Sequence, residues 1–315
     1  GGAAEGSASG SADTGSAAGS GYDIGARLLA RYLTQYIPGN PAFVIQNQPG
    51  AASITMANSL YNLAPKDGTT LGMIQSTVPF EPLFGTKEAD YDATKLNWLG
   101  TPSVETGTLI VWHTSPIQTL EDARRMEMTA GASGANSTPS FFARLLNELL
   151  GTKIKVIVGF PGQNEAYIAM ERGELDSYGV TFWSSLTSTK QHWIKDKKIR
   201  ILVQYGPEKD MALPDVPYGP DLVTKEDDKL LFEASYAQLA AGRPFVAPPD
   251  IPADRLAALR AAFDAAVKDP ELLAEAEKQR LYIAPDPGVA VEKRVAEIYA
   301  SPQAVIARAK EIAGD

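Results

Sequence analysis

From Asp23 to Gln204 the chain alternates short apolar runs of strand length with helical stretches that carry one apolar face. Ile24, Leu28, Leu29, Tyr32, Leu33 and Tyr36 recur at helical spacing until Pro38-Gly39 closes the helix. Asp23 is placed to cap it, its carboxylate accepting from first-turn amides. Ala42-Phe43-Val44-Ile45 then reads as a buried strand. Pro49-Gly50 turns the chain into a helix bearing Ile54, Ala57 and Tyr61, and Lys66-Asp67-Gly68 leads into a strand at 70–74. The alternation continues with strands at 109–112, 128–131, 155–158 and 199–204, separated by helices at 119–125, around Phe141–Phe142–Leu145–Leu146–Leu149, and at 164–172. Such units fold as a mostly parallel sheet with helices on both faces. Residues 207–228, rich in Pro and Asp, read as a surface connection before a helical tail. Leu256, Leu259, Phe263 and Val267 form one stripe of that tail, Asp269-Pro270 starts its next helix, and Val291, Val295, Ile298, Val305, Ile306 and Ile312 finish it. No tandem repeat is found.

At 315 residues the chain exceeds what one such sheet needs, so the pattern predicts two α/β lobes with the tail returning to the first. Lys and Arg number 29 against 38 Asp and Glu, a net charge of −9. That balance argues against nucleic acid and against an anionic membrane surface. No apolar run reaches the roughly 18 residues a membrane-spanning helix needs, so no direct membrane insertion is expected. Cysteine is absent, which excludes disulfides, thiolate nucleophiles and cysteine-ligated metals but fits either redox compartment. The only histidines, His113 and His192, are far apart and not on one helical face. Neither a metal site nor a cofactor is expected. No secretory signal opens the chain, although a mature exported protein would have lost one.

The loop Gly131-Ala132-Ser133-Gly134-Ala135-Asn136-Ser137-Thr138-Pro139 joins a strand to a helix. Its glycines let the backbone approach a ligand, Ser137 or Thr138 can cap the helix, and Pro139 suits the first turn. Amides at such a helix start carry partial positive charge and suit a carboxylate or phosphate, although an ordinary capped loop has the same sequence. Gly19-Ser20-Gly21-Tyr22-Asp23 offers the same geometry in the first unit. It is no dinucleotide fingerprint, because Gly25 falls one residue late. Ser133 with His113 could be drawn as a hydrolase pair, but 131–135 fails the G-x-S-x-G pattern at its last position and lacks a third partner. Trp183, flanked by hydroxyls after a strand, can wall an organic ligand or simply pack in the core. Glu105, Glu165, Glu174 and Asp176 are acidic loop or helix residues.

Several segments, in order, resemble the tricarboxylate-transporter receptors, also called Bug proteins. They are Gly21-Tyr22-Asp23 with 26–30, then Gln46-Asn47-Gln48-Pro49-Gly50-Ala51, 65–71, and 131–137. Phe160-Pro161-Gly162 follows ahead of a helix ending Arg172-Gly173-Glu174-Leu175-Asp176, then 245–249 and 252–255. The likeness runs from Gly21 to about Ala309. It implies a two-lobed Venus-flytrap fold with two crossover segments, near Glu105 and Ser235. Lobe one then comprises 1–106 plus 237–315 and lobe two 107–236, with a ligand cleft between them. The resemblance further implies one small di-, tri- or aromatic carboxylate bound without catalysis by a monomeric periplasmic receptor, which delivers it to the membrane components of a tripartite tricarboxylate transporter. The expected contacts are Gly21 and Tyr22 from one lobe and Ser133, Gly134, Ala135, Asn136 and Ser137 from the other. Ser76, Thr77, Gly162 and Trp183 are next, while Asp23 caps its helix rather than touching the anion. Ala135 stands where the family often has Gly, Phe160-Pro161 where Tyr-Lys is commoner, and Gln48 where Arg is usual, which leaves the ligand's identity open.

Seventeen of the first twenty residues are Gly, Ala or Ser, which on composition alone reads as a flexible linker. The resemblance instead places the first lobe's first core strand here, and part of 5–18 is expected in that sheet. Two other functions compete with the receptor reading. A hydrolase using Ser133 needs a base within hydrogen-bond reach. A regulator's effector domain would carry a DNA-binding helix pair, and none is recognisable ahead of Asp23.

Overall fold

The computed structural model describes residues 9–14, 21–47, 54–240 and 243–314, with 9–14, 21–24, 42–47 and 238–240 as backbone. The chain runs β1 (Ser9–Thr14), α1 (Gly21–Tyr36), β2 (Ala42–Asn47), α2 (Ile54–Asn62), β3 (Thr70–Met73) and β4 (Asn97–Thr101). Then come β5 (Gly107–Trp112), α3 (Leu120–Arg125), β6 (Met128–Gly131), α4 (Thr138–Leu150), β7 (Ile154–Ile157) and α5 (Gln163–Glu171). The short elements β8 (Ser177–Tyr178), β9 (Thr181–Phe182), α6 (Trp183–Thr189) and α7 (Gln191–Lys195) precede β10 (Ile199–Tyr205) and α8 (Glu226–Ala240). The chain ends with β11 (Phe245–Ala247), α9 (Ala253–Ala266), α10 (Pro270–Lys278), β12 (Asp286–Pro287), α11 (Gly288–Tyr299) and α12 (Gln303–Ala313).

Two compact units emerge, Gly1–Val104 with Ala240–Ala300, and Glu105–Leu239 with Ser301–Asp315. The chain therefore passes between units three times, not twice, and the last helix belongs to the second unit rather than the first. The reason is local. Val305, Ile306 and Ala309 are buried, α12 packs on α4, and Arg308 pairs with Asp228 of α8 at 2.9 Å and Glu148 of α4 at 3.4 Å.

In the first unit six strands take the order β12-β4-β11-β3-β1-β2. β1 lies parallel between β2 and β3, pairing Ser9 with Ala42 and Ser11 with Thr70. Ser9–Thr14 of the low-complexity start thus supplies an interior strand, one in from the β2 edge. Ser-Gly-Ser-Ala-Asp-Thr has poor strand propensity, but two parallel partners satisfy its backbone and override that preference. β11 runs antiparallel to β3 and β4, so the sheet is mixed around a parallel core. Leu28, Leu29 and Leu33 of α1 pack with Leu259 and Phe263 of α9 and with Leu71 and Met73 of β3. α1 begins two residues before Asp23, which lies within the first turn and is not the cap. Asp269 does cap α10, accepting from the Glu271 amide at 2.8 Å. The proposed turn at Pro49-Gly50, with Gln48, lies outside the described residues, as do Gly19 and Ser20.

The second unit holds a parallel sheet β7-β6-β8 and an antiparallel sheet β10-β5-β9. Trp112 ties the two, its amide donating to the Asp176 carbonyl at 2.8 Å. Trp193 is 1% exposed and meets Trp112 and Tyr167 edge-on, at 5.3 and 4.9 Å between centroids. Tyr205 stacks on Phe142 at 5.3 Å, but its buried hydroxyl has no hydrogen-bond partner among the described residues. Stranding a buried hydroxyl costs about 1–3 kcal/mol. Tyr205→Phe keeps the stack and removes the orphan, so urea denaturation is expected to show equal or greater stability; a loss above 1 kcal/mol would mean that the hydroxyl is bonded in solution.

Candidate functional site

Each unit contains the same β-α-β-α-β path. β1–α1–β2–α2–β3 places β2 and β3 on opposite sides of β1, and β6–α4–β7–α5–β8 places β7 and β8 on opposite sides of β6. The connection from the first strand goes one way and the return goes the other. Such a switch opens a crevice beyond the strand carboxyl ends, where open α/β sheets bind ligands. In the first unit the switch lies between β1 and β3. Gly21 and Tyr22 open α1 on one side of it, and Ser76 and Thr77 follow β3 on the other. Ser76 and Thr77 are half-buried, and neither hydroxyl has a partner among the described residues.

In the second unit the switch lies between β6 and β8, and the loop after β6 carries the densest set of expected contacts. Four successive carbonyls of that loop are pinned to protein. Ala132 accepts from the Phe160 amide at 3.4 Å and Ser133 from the Gly159 amide at 3.2 Å. The Gly134 carbonyl accepts from the Ser137 and Ser140 hydroxyls at 2.7 and 2.5 Å and from the Ser137 amide at 3.2 Å. Ala135 accepts from Arg144 Nη1 at 2.7 Å. In a trans peptide the N–H points opposite to the carbonyl of the preceding residue. The amides of Ser133, Gly134, Ala135 and Asn136 are therefore turned away from those partners, and among the described residues they donate to no backbone carbonyl.

Ser137 is the N-cap of α4 by position, but its hydroxyl does not cap. It donates to Gly134, and Pro139 in the first turn has no N–H, so the start of this 13-residue helix carries no side-chain acceptor and no acidic residue. α5 differs. Gly162 caps it by position, and Glu165 sits in its first turn with Oε2 3.1 Å from where a Gly162 Cβ would lie. That carboxylate already offsets the α5 N-terminus, leaving α4 as the better anion host.

Trp183 opens α6 half-buried, its amide donating to the Thr106 carbonyl at 2.9 Å. It packs beside Phe160 against the cluster of Tyr167, Tyr178 and Trp193. Parallel pairing of β6 and β7 puts 133–137 and Gly162 beyond the carboxyl ends of neighbouring strands, whereas Trp183 follows β9 of the antiparallel sheet. Tyr178, not singled out from the sequence, ends β8 directly opposite Gly131. Burial pushes the Tyr178 and Tyr167 hydroxyls above the usual phenol range, which keeps both protonated. Tyr167 donates to Thr181 at 3.1 Å, while Tyr178 has no partner among the described residues. Only the two-residue length of β8 hid it, since the period-2 signal needs a longer run.

The Ser133 hydroxyl is bonded to no imidazole or carboxylate among the described residues. The His113 amide is paired with the Lys198 carbonyl at 2.8 Å. Among the described residues no group of three His, Cys, Asp or Glu could hold a metal ion, and no helix is long and apolar enough to cross a membrane.

Solved structures share this fold. A TctC solute-binding protein from Polaromonas, without ligand, superposes with a TM-score of 0.75 at 17% identity, covering 97% of each chain. An R. palustris protein with adipate gives 0.58 at 17% identity, again over 97% of each chain. MatC from Rhodopseudomonas palustris with bound malate gives 0.52 at 19%, over 97% of this chain and 98% of that one. No curated protein matches the sequence. The sequence model of the tripartite tricarboxylate transporter family receptor matches residues 26–284, four-fifths of the length. The chain belongs to the tripartite tricarboxylate transporter receptor family.

Proposed function

We propose that this protein is a periplasmic receptor that captures one small organic carboxylate and delivers it to the membrane components of its transporter. It acts as a monomer, without catalysis. Membership of a receptor family assigns solute capture. The observation that carries the ligand class is the row of unpartnered amides at Ser133–Asn136 ahead of the uncapped start of α4. Malate and adipate, held by two proteins of the same fold, are carboxylates of the size such a row accommodates.

The net charge of −9 does not oppose this reading, because the local field decides. The loops at 132–138, 158–163 and 179–184 contain no Lys, Arg or His, so recognition there rests on neutral donors. A hydrogen bond to a carboxylate contributes roughly 1.5–3 kcal/mol. Three or four of them approach the roughly 8 kcal/mol of micromolar binding only when no ordering cost intervenes, and the pinned carbonyls remove much of that cost. Isothermal titration against a panel of mono-, di- and tricarboxylates, malate and adipate included, tests the reading. Micromolar heats with at least one member are expected; silence across the whole panel would overturn it.

A further inference from the structure

Arg144 lies two turns into α4, outside the loop, yet its guanidinium reaches two separate backbones. Nη1 donates to the Ala135 carbonyl at 2.7 Å, and Nε donates to the Ile312 carbonyl, also at 2.7 Å. Ile312 belongs to the last turn of α12, whose final carbonyls have no partner within the helix. A cation there is favoured both by the hydrogen bond and by the helix dipole. The third nitrogen, Nη2, is buried with no hydrogen-bond partner among the described residues. The residue thus accepts an unsatisfied donor to keep a two-pronged grip.

The end of α12 reaches the loop a second way. Gly314 closes the helix in the left-handed conformation, φ +93°, and a Cβ at that position would stand 3.1 Å from Asn136 Oδ1. α12 itself is held from two sides, by Asp228 and Glu148 on Arg308, so it is a firm abutment.

We propose that Arg144 is a positioning residue for the carboxylate loop, bracing it against the C-terminal helix. The inference rests on reading Ser133–Asn136 as the carboxylate cradle. Arg144 fixes the Ala135 carbonyl, and peptide planarity then turns the Asn136 amide to the opposite side. Without the guanidinium, the last peptide of the row is free to rotate. A lysine cannot substitute, because one ammonium on a flexible stem lacks the planar fork that spans both carbonyls.

Arg124 supplies the control. Its Nε donates to the Leu150 carbonyl at the far end of α4 at 2.7 Å, the same cap chemistry with no link to the loop. Backbone resonances of the ligand-free protein are compared for the parent, Arg144→Met, Arg144→Lys and Arg124→Met. Arg144→Met is expected to shift the Ala135 carbonyl carbon and the amides of 133–137 and to broaden them, while Arg124→Met leaves them in place. In titrations with malate and adipate, Arg144→Met is expected to weaken binding at least tenfold and Arg124→Met by less than twofold. Unchanged loop resonances in Arg144→Met, or equal shifts in both Met variants, would overturn the bracing role. Full restoration by Arg144→Lys would make bare charge sufficient and overturn the two-pronged grip. The resonances need no ligand, so they decide the matter even if neither carboxylate binds the parent; that silence would count against the cradle alone.

Discussion

Gly134→Asp is expected to weaken carboxylate binding by roughly five- to a thousandfold, whereas Gly134→Asn retains it within about threefold. A Cβ at Gly134 meets nothing within 4 Å, and the residue lies outside the positive-φ region, so either side chain fits without strain. The two variants share shape and differ by one charge. Placed among the free amides, the aspartate occupies the field meant for the ligand and repels it. Two like charges about 4 Å apart cost about 1 kcal/mol in bulk water and about 4 kcal/mol at the lower effective dielectric near a protein surface. At tenfold per 1.4 kcal/mol, that predicts a loss of roughly five- to a thousandfold. Added salt should narrow the gap between the variants, since it screens exposed charges. Isothermal titration of both variants with the best ligand of the parent, at two salt concentrations, provides the measurement. Equal affinities for Asp and Asn would remove the anion from this loop.

The parts of this site that could be read from the sequence are those whose signal is local. Glycines, hydroxyls and Pro139 between a strand and a helix mark the 131–139 loop, and periodicity places most of the helices around it. Where the deciding contact is distant, the chain is silent. Ser9–Thr14 has no apolar alternation, because its place in the sheet depends on the backbones of β2 and β3 rather than on its own side chains. Only the family resemblance pointed to a strand there. The stripe Val305–Ile306–Ala309 says that α12 needs an apolar partner but not which one. Its return to α4 is settled by Arg308, Asp228 and Glu148, three residues spread over 160 positions. Ser137 reads as a cap because its type and position fit. The structure gives its hydroxyl to Gly134 instead, where the bond folds the loop rather than ending the helix. Arg144 had no marker at all, since an arginine on an amphipathic helix reads as solvated charge.

Gly179→Ala is expected to cost about 3 kcal/mol or more and to take the binding site with it. Gly179 follows β8 immediately, and its amide donates to the Gly131 carbonyl at 3.4 Å. A Cβ there would stand 2.0 Å from the Pro139 carbonyl oxygen, 2.5 Å from its carbon and 2.9 Å from its Cα. These are backbone atoms, so no rotamer change relieves the overlap. Pro139 cannot yield easily either, because its ring fixes φ and buried Ser140 follows it, bonded to Gly134. Either α4 moves away from β8 or β8 peels from β6, and both disturb the edge that presents 133–137 and Tyr178. Overpacking a well-ordered contact costs typically 1–3 kcal/mol, and a clash against two fixed backbones belongs at or above the top of that range. Gly134→Ala is the matched control: it adds the same methyl group to open space in the same unit and should stay within about 0.5 kcal/mol of the parent. Urea denaturation of the intact chain measures both, and a Gly179→Ala midpoint equivalent to less than 1 kcal/mol of loss would show that α4 and β8 do not meet as closely in solution. The close approach makes one glycine the hinge of two demands, since the same contact that seals α4 against the sheet also sets where its free amides stand.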